Sequence, residues 1–175
     1  MKKGEMSTAR GAHSLPIYIL LILILLGGTY YVTNQYVIFN VRLHDTGDTL
    51  YQRILHKDEL ITLHYIHSVT NQPVEEIFFV KDKSTMALKE MRYDSFGANL
   101  PVGPEQLANE TTTFIKEDGY YKVIYENRSF DVIPLRVGQV VANHTLVFKD
   151  NDRVPLLDIA EGGSYIELFV SPVIF

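Results

Sequence analysis

The sequence predicts an all-β domain, an antiparallel β-sandwich or small barrel, preceded by one N-terminal transmembrane helix. Residues 15–36 carry no charged side chain, which separates them from the rest of the 175 residues. Beyond them, turn signals recur about every ten residues, and no convincing helical pattern exceeds about two turns. Short strands at regular spacing are typical of sandwiches and barrels.

The first element is the apolar segment, in which residues 17–26 are uninterrupted by any polar side chain. With the small and aromatic residues that follow, the run of low polarity reaches about 18 residues, near the lower limit for crossing a hydrocarbon core of about 30 Å. Tyr30, Tyr31 and Tyr36 suit the membrane–water interface. The segment is therefore predicted to be a transmembrane anchor.

The flanks of this segment predict its orientation. Three basic residues and one acid precede it, and the positive flank of a membrane helix stays in the cytoplasm. We therefore predict a cytoplasmic tail (residues 1–14), the anchor (15–36) and an extracytoplasmic β domain (37–175). A cleaved signal peptide remains the alternative, because the glycines at 27 and 28 are small enough for cleavage.

Charge and cysteine content exclude several classes of protein. The chain has a formal net charge of −5 and its basic tail lies before the anchor. The outer part is therefore acidic, which argues against nucleic acid or anionic lipid surfaces as partners. The absence of cysteine excludes disulfides, thiol catalysis and a lipoprotein anchor.

The strands in the first half follow from β-branched and aromatic runs between turn residues. Residues 85–93 compete as a helix, because Met86, Ala87 and Leu88 favour helices, but their short-strand neighbours favour a strand. Glycine and proline predict an irregular loop over residues 94–104. The predicted strands are residues 36–43, 49–56, 60–69, 76–81 and 85–93.

In the second half, a hairpin is predicted across Gly119, because turn residues separate two alternating runs. In the last predicted strand, successive side chains alternate between the two faces of the strand. The predicted strands are residues 111–115, 120–125, 128–133, 143–149 and 164–170, with a short extended segment at 154–159.

No metal or cofactor site is predicted. His64 and His67 are three residues apart, and on a strand their side chains would point to opposite faces. No phosphate-binding loop, dinucleotide fingerprint or paired-cysteine motif occurs in the sequence.

His67, Ser68 and Glu76 are the first candidate site residues, because they flank a polar connection between two predicted strands. Three interpretations remain open. The residues could stitch the hairpin by hydrogen bonds, contact a ligand or partner, or use His67 and Glu76 as the acid and base of a hydrolase. No serine-hydrolase turn motif accompanies Ser68.

Arg136 and the loop that holds Ser95 and Gly97 complete the candidate site. Arg136 could bind a carboxylate through two nitrogens, either internally, with Glu76 or Asp94, or on an anionic ligand or partner. Gly97 lies in a loop that needs a tight backbone.

Four short motifs together resemble one family. They are HSV at residues 67–69, PVEE at 73–76, SFGANLP at 95–101 and RVG at 136–138. In this order they resemble the bacterial and archaeal domain of unknown function 1850, whose members are often encoded beside TAXI-type TRAP transporters. The resemblance covers roughly residues 40–170. Thr70 stands where the family usually has an acid, and Asn99 where it usually has a glycine.

The resemblance implies no catalytic residues, but it does imply association with a solute uptake system. We therefore expect a non-enzymatic accessory or binding module in the cell membrane, whose partners would be TRAP transporter subunits or the solute-binding protein. A membrane-tethered hydrolase and a structural envelope protein are the alternatives.

Overall fold

The computed structural model of the protein describes residues 14–106, 110–117, 119–139 and 141–174. One helix is followed by twelve strands and one short 3-10 helix. The elements are α1 (Ser14–Gln35), β1 (Tyr36–Leu43), β2 (Thr49–His56), β3 (Leu60–Ile66), β4 (Pro73–Val80), β5 (Met86–Tyr93), β6 (Thr111–Glu117), β7 (Tyr120–Glu126), β8 (Ser129–Phe130), β9 (Ile133–Arg136), β10 (Thr145–Val147), β11 (Arg153–Pro155), the 3-10 helix (Leu156–Asp158) and β12 (Tyr165–Pro172).

Helix α1 forms where the apolar segment predicts it. It is long and apolar enough to cross a membrane over Leu15–Gln35, and none of this stretch is buried against the rest of the protein. A helix that is apolar on all sides and uncovered by protein is suited to lipid. The anchor ends one residue earlier than predicted, because Tyr36 already begins β1. Most of the predicted cytoplasmic tail, residues 1–13, lies outside the described residues.

The strands form two antiparallel sheets that share one core, which agrees with the predicted all-β fold. The smaller sheet has the order β2-β1-β12-β9, and the larger has the order β11-β10-β3-β4-β5-β7-β6, with β8 paired to β5. Alternate residues of both sheets, such as Val37 and Phe39 in β1 and Val74 and Phe78 in β4, enter one apolar core. This alternation is the period of two that a strand imposes on its side chains.

The strand at the predicted candidate site ends earlier than expected. Strand β3 stops at Ile66 instead of residue 69, and β4 begins at Pro73 instead of residue 76. Pro73 can open a strand because it has no N–H to contribute to the ladder. His67 and Ser68 therefore lie in the connecting loop, and the prediction that they are strand residues was wrong.

Other boundaries differ for local reasons. Residues 85–93 form strand β5, as predicted, despite their helix-favouring composition. The extended segment predicted at 154–159 becomes strand β11 followed by a 3-10 turn. Pro134 lies inside β9, which it can do because β9 is the edge of the smaller sheet.

The loop after β5 covers the part of the larger sheet that the smaller sheet leaves bare. The ring of Phe96 stacks on Tyr121 of β7, with 4.4 Å between ring centroids. Further along, Leu100 is buried, and the Thr112 N–H donates to the Glu105 carbonyl at 2.9 Å. The glycine- and proline-rich loop is thus mostly exposed and joins the core through Leu100.

Strand direction defines the two ends of the β domain. Strand β1 leaves α1, and β12 returns antiparallel to it. Strands β3, β5 and β9 run away from α1, so the β3–β4 connection and the residues after β5 and β9 lie at the far end. Strands of seven or eight residues place this distal end, the end far from α1, about 25 Å from the helix terminus.

Candidate functional site

A cleft of about 590 Å³ opens at the distal end, far from α1. Ligand pockets in proteins commonly occupy about 300–1,000 Å³. Three segments form its walls: residues 65–68 at the end of β3, residues 98–100 in the loop after β5, and residues 136–139, 141, 142 and 144 from the end of β9 onward, with Gly163 beside them. The cleft therefore combines three of the four motifs that the sequence singled out.

His67 is buried, and both of its ring nitrogens bond within the protein. Nδ1 accepts from the Thr70 N–H at 3.2 Å and lies 3.0 Å from the Thr70 hydroxyl. Nε2 lies 2.8 Å from the carbonyl oxygen of Ala98, which identifies the tautomer with the proton on Nε2. His67 thus joins the β3–β4 loop to the loop after β5.

A second link between these loops runs through Gln72 and Ser95. The Gln72 side-chain amide donates to the Ser95 carbonyl at 2.5 Å and to the Thr70 hydroxyl at 2.8 Å. In return the Ser95 hydroxyl donates to the Gln72 side-chain oxygen at 3.1 Å. Thr70 therefore has a structural role in this chain through its hydroxyl group.

Two positions in the loop after β5 restrict which residue can occupy them. A Cβ at Gly97 would lie 3.0 Å from Cε1 of His67, so the backbone approaches the ring as closely as a glycine allows. Asn99 has a φ of 64°, the left-handed conformation that favours glycine and that asparagine tolerates best among other residues. Asn99 thus adopts a backbone conformation that a glycine would also adopt.

Arg136 is held in place at the cleft by groups other than the described carboxylates. Its Nε donates to the Gly163 carbonyl at 3.2 Å, and its guanidinium carbon lies 5.2 Å from the ring centre of Tyr165. Among the described residues no carboxylate oxygen lies within 4.0 Å of this guanidinium, so the internal pairings considered for Arg136 are not formed. The two terminal nitrogens remain available for an anion.

The segment after Arg136 is packed tightly into the cleft wall. The Gly138 N–H donates to Nδ1 of His144 at 3.1 Å, and a Cβ at Gly138 would lie 2.4 Å from the Cβ of Ala142. The Ile66 N–H bonds to the Ala142 carbonyl at 2.8 Å. Burial lowers the pKa of His144, which favours the neutral ring that accepts this bond.

Glu76 lies behind the cleft, on the side of β4 that faces the core. Its carboxylate accepts a hydrogen bond from the Tyr65 hydroxyl at 3.1 Å, and the Tyr65 ring lies 5.1 Å from that of His144 in the cleft wall. Burial raises the pKa of Glu76 and also that of Tyr65. Tyr65 therefore separates Glu76 from the cleft.

The structure thus brings together some of the predicted site residues. His67, Ser68 and Arg136 line one cleft, whereas Ser95 and Gly97 support its wall and Glu76 lies behind Tyr65. Sequence reasoning missed Tyr65 and His144. Tyr65 lies on the same strand face as the core residue Leu63. Its role can be recognised only when the register of β3 and β4 is known, because that register brings Tyr65 close to Glu76. No feature of the sequence pointed to His144.

These contacts engage both side chains that the hydrolase hypothesis uses. His67 is bonded through both nitrogens to Thr70 and Ala98, and Glu76 is bonded to Tyr65. A general base needs to reach a proton on a substrate. Among the described residues, no three His, Asp or Glu side chains gather as metal ligands.

Comparison with known proteins identifies the family of the chain. No curated protein and no solved structure matches it. A family model described as "Domain of unknown function (DUF1850)" matches residues 61–156. This segment is more than half of the 175 residues, runs from β3 to the 3-10 helix, and contains all the cleft-lining residues except Gly163. The chain belongs to the DUF1850 family.

Proposed function

We propose that this protein is a membrane-anchored extracytoplasmic binding module whose membrane-distal cleft binds a carboxylate through Arg136. The observation that carries the proposal is which groups of the Arg136 side chain are already bonded within the protein and which are not. Nε and the guanidinium face are fixed by Gly163 and Tyr165, whereas the terminal nitrogens have no described acidic partner. A guanidinium binds carboxylates through two parallel hydrogen bonds.

The rest of the cleft is suited to a ligand with an apolar part. Leu100, Val137 and Val141 contribute apolar walls, and Asn99 and Gln139 contribute polar groups. Mostly apolar walls with a few placed polar groups are typical of sites that bind organic ligands or side chains of a partner. The carboxylate can accordingly belong to a free solute or to an acidic residue of a partner protein.

The extracytoplasmic location is supported by the basic flank before α1 and by the acidic outer part of the chain. The proposed partner is a TAXI-type TRAP transporter subunit or its solute-binding protein. This choice is supported by the resemblance through the four motifs. It makes the protein an accessory component of solute uptake.

Two alternatives are less well supported. A hydrolase would need His67 and Glu76 to act together, but each is bonded to other groups. A structural envelope protein without a ligand would need no pocket near the motifs, whereas the cleft is formed by three of them.

A pull-down from native membranes tests the proposal. The tagged full-length protein would be solubilised in detergent, and the proteins recovered with it would be identified by mass spectrometry. We expect Arg136→Gln to reduce recovery of the specific partner about tenfold or more, because one charge of a hydrogen-bonded pair is lost. Arg153→Gln is the matched control: Arg153 is also exposed, but it lies in β11 outside the cleft.

Equal recovery by the two variants, with both folded, would contradict the role of Arg136. If no protein is recovered specifically, thermal-shift measurements with small carboxylates decide whether the ligand is a free solute. A shift for the Arg153 variant that is absent for the Arg136 variant would support binding. Identical responses of both variants to every carboxylate would refute it.

A further inference from the structure

The β domain meets α1 without a linker. Gln35 ends the helix and Tyr36 begins β1. The Lys57 N–H, in the β2–β3 turn, donates to the Gln35 carbonyl at 3.0 Å, and the rings of Tyr36 and His56 pack edge to face with 5.4 Å between centroids. These contacts hold this end of the domain beside the helix terminus.

Exposed apolar side chains gather at the same end. The strand register places Pro172 opposite Val37 and Ile54 opposite Ile38, within about 10 Å of the helix terminus along β1. Ile54 is 64% exposed and Ile174, two residues beyond Pro172, is 84% exposed. Leu60, which opens β3, also lies at this end and is exposed. We call these four residues, Ile54, Leu60, Pro172 and Ile174, the membrane-proximal rim.

The charges at this end of the domain would not attract it to a membrane. Its described connections, at residues 57–59, 81–83, 131–132 and 149–152, contain four lysines and six acids. Attraction to anionic lipids requires an excess of basic residues. Apolar burial is the remaining physical reason for the rim to contact a bilayer.

We propose that the membrane-proximal rim lies in the interfacial layer of the bilayer that α1 crosses, so that the lipid surface is its partner. This inference rests on the membrane anchor of the proposed function. Because the cleft lies about 25 Å away at the opposite end, it would face the aqueous phase. A carboxylate ligand would then reach the cleft from solution or on a soluble partner, and a lipid headgroup would not reach it.

The absence of cysteine makes a direct test possible, because single introduced cysteines can be labelled without background. The full-length chain would carry one nitroxide at Leu60→Cys or Ile174→Cys in the rim, and at Ser68→Cys or Thr46→Cys at the distal end. Leu23→Cys in α1 is the control for membrane insertion. Each variant would be placed in phosphatidylcholine nanodiscs, and collisions with oxygen and with a water-soluble nickel chelate would be measured by power saturation.

We expect the two rim labels to collide with oxygen, relative to the nickel chelate, several times more than the distal labels do, because oxygen partitions into lipid. The rim values should fall between those of Leu23→Cys and the distal sites. If Leu23→Cys reports lipid while both rim labels match the distal labels, the rim inference fails and the anchored binding module stands. If Leu23→Cys itself reports water, the anchor fails, and the rim inference and the proposed function fail with it.

Discussion

Arg136 is held by one of its three guanidinium nitrogens. The Gly163 carbonyl and the Tyr165 ring restrict the side chain before any ligand arrives. Little side-chain entropy is therefore lost on binding, which favours affinity. The lack of a described carboxylate partner leaves the positive charge available at the cleft.

Glu76 is the opposite case, a carboxylate placed inside the fold. Burial raises its pKa above the ordinary value of 4.5, so the folded chain holds the proton more tightly than the unfolded chain does. The resulting stabilisation is fully present below pH 4.5 and is lost as the pH rises through the pKa of the folded state. Glu76 therefore lowers the stability of the protein at neutral pH relative to acid pH.

We expect Glu76→Gln to raise the free energy of unfolding at pH 7 and to flatten its fall with pH above 4.5. The amide oxygen can still accept the hydrogen bond from Tyr65, and no charge is buried. Urea unfolding of the full-length protein, followed by tyrosine fluorescence between pH 4.5 and pH 8, measures both effects. Glu75→Gln is the matched control, since Glu75 lies on the other face of β4. A variant that is less stable than the parent at pH 7 would contradict this account.

Sequence alone could identify several of these residues, but not their contacts. Arg136 and His67 stand out in short motifs, and residue type alone predicts that they form polar contacts. Whether Arg136 meets Glu76, Asp94 or Gly163 depends on strand order, because each of these residues is far from it in the chain. For the same reason the contact of Tyr65 could not be predicted, because its partner Glu76 is 11 residues away across a strand pair.

At the scale of elements, the cleft depends on two connections that support each other. His67 and Gln72 in the β3–β4 loop bond to Ala98 and Ser95 in the loop after β5. Neither loop has regular secondary structure to hold its shape. These hydrogen bonds and the close packing of Gly97 against the His67 ring hold the loops in place instead. The interpretation that His67 and Ser95 stitch the loops is thus compatible with their place in a binding site.

Gly97→Ala tests this coupling. The added methyl group would lie 3.0–3.3 Å from the His67 ring and Leu100, so one of them must move. We expect the free energy of unfolding to fall by about 1–3 kcal/mol. Gly103→Ala is the matched control, because nothing lies within 4 Å of a Cβ at that position. Similar losses in the two variants, measured by urea unfolding, would show that the loops are not coupled at Gly97.

The existence and type of the strands were predictable, whereas their ends were not. The period of two and the turn residues indicate strands near β3, β4 and β5, even for residues 85–93 with their helical propensities. The end of β3 at Ile66 is set by hydrogen bonds from distant residues, such as that between the Ile66 N–H and Ala142. Such long-range contacts leave no local pattern in the sequence.

In the molecule as a whole, helix α1 and the cleft lie at opposite ends of the β domain. The all-β class and the N-terminal helix were predicted from the apolar run and the turn spacing, and both are confirmed. The order of strands in the two sheets was not predictable, because pairings such as β3 with β10 join segments about 80 residues apart. That order is what unites the motifs around residues 67, 98 and 136.

We propose above all that the cleft far from α1 contacts the partner through Arg136. The most direct test is photo-crosslinking in cells that contain the partner, with a benzophenone amino acid at Ser68, which is exposed at the cleft. The same group at Thr46, in the β1–β2 turn, is the control. We predict an adduct from Ser68 that is absent from Thr46 and is lost with Arg136→Gln. The claim would be contradicted by an adduct from Ser68 that persists in the Arg136 variant, or by equal adducts from both sites.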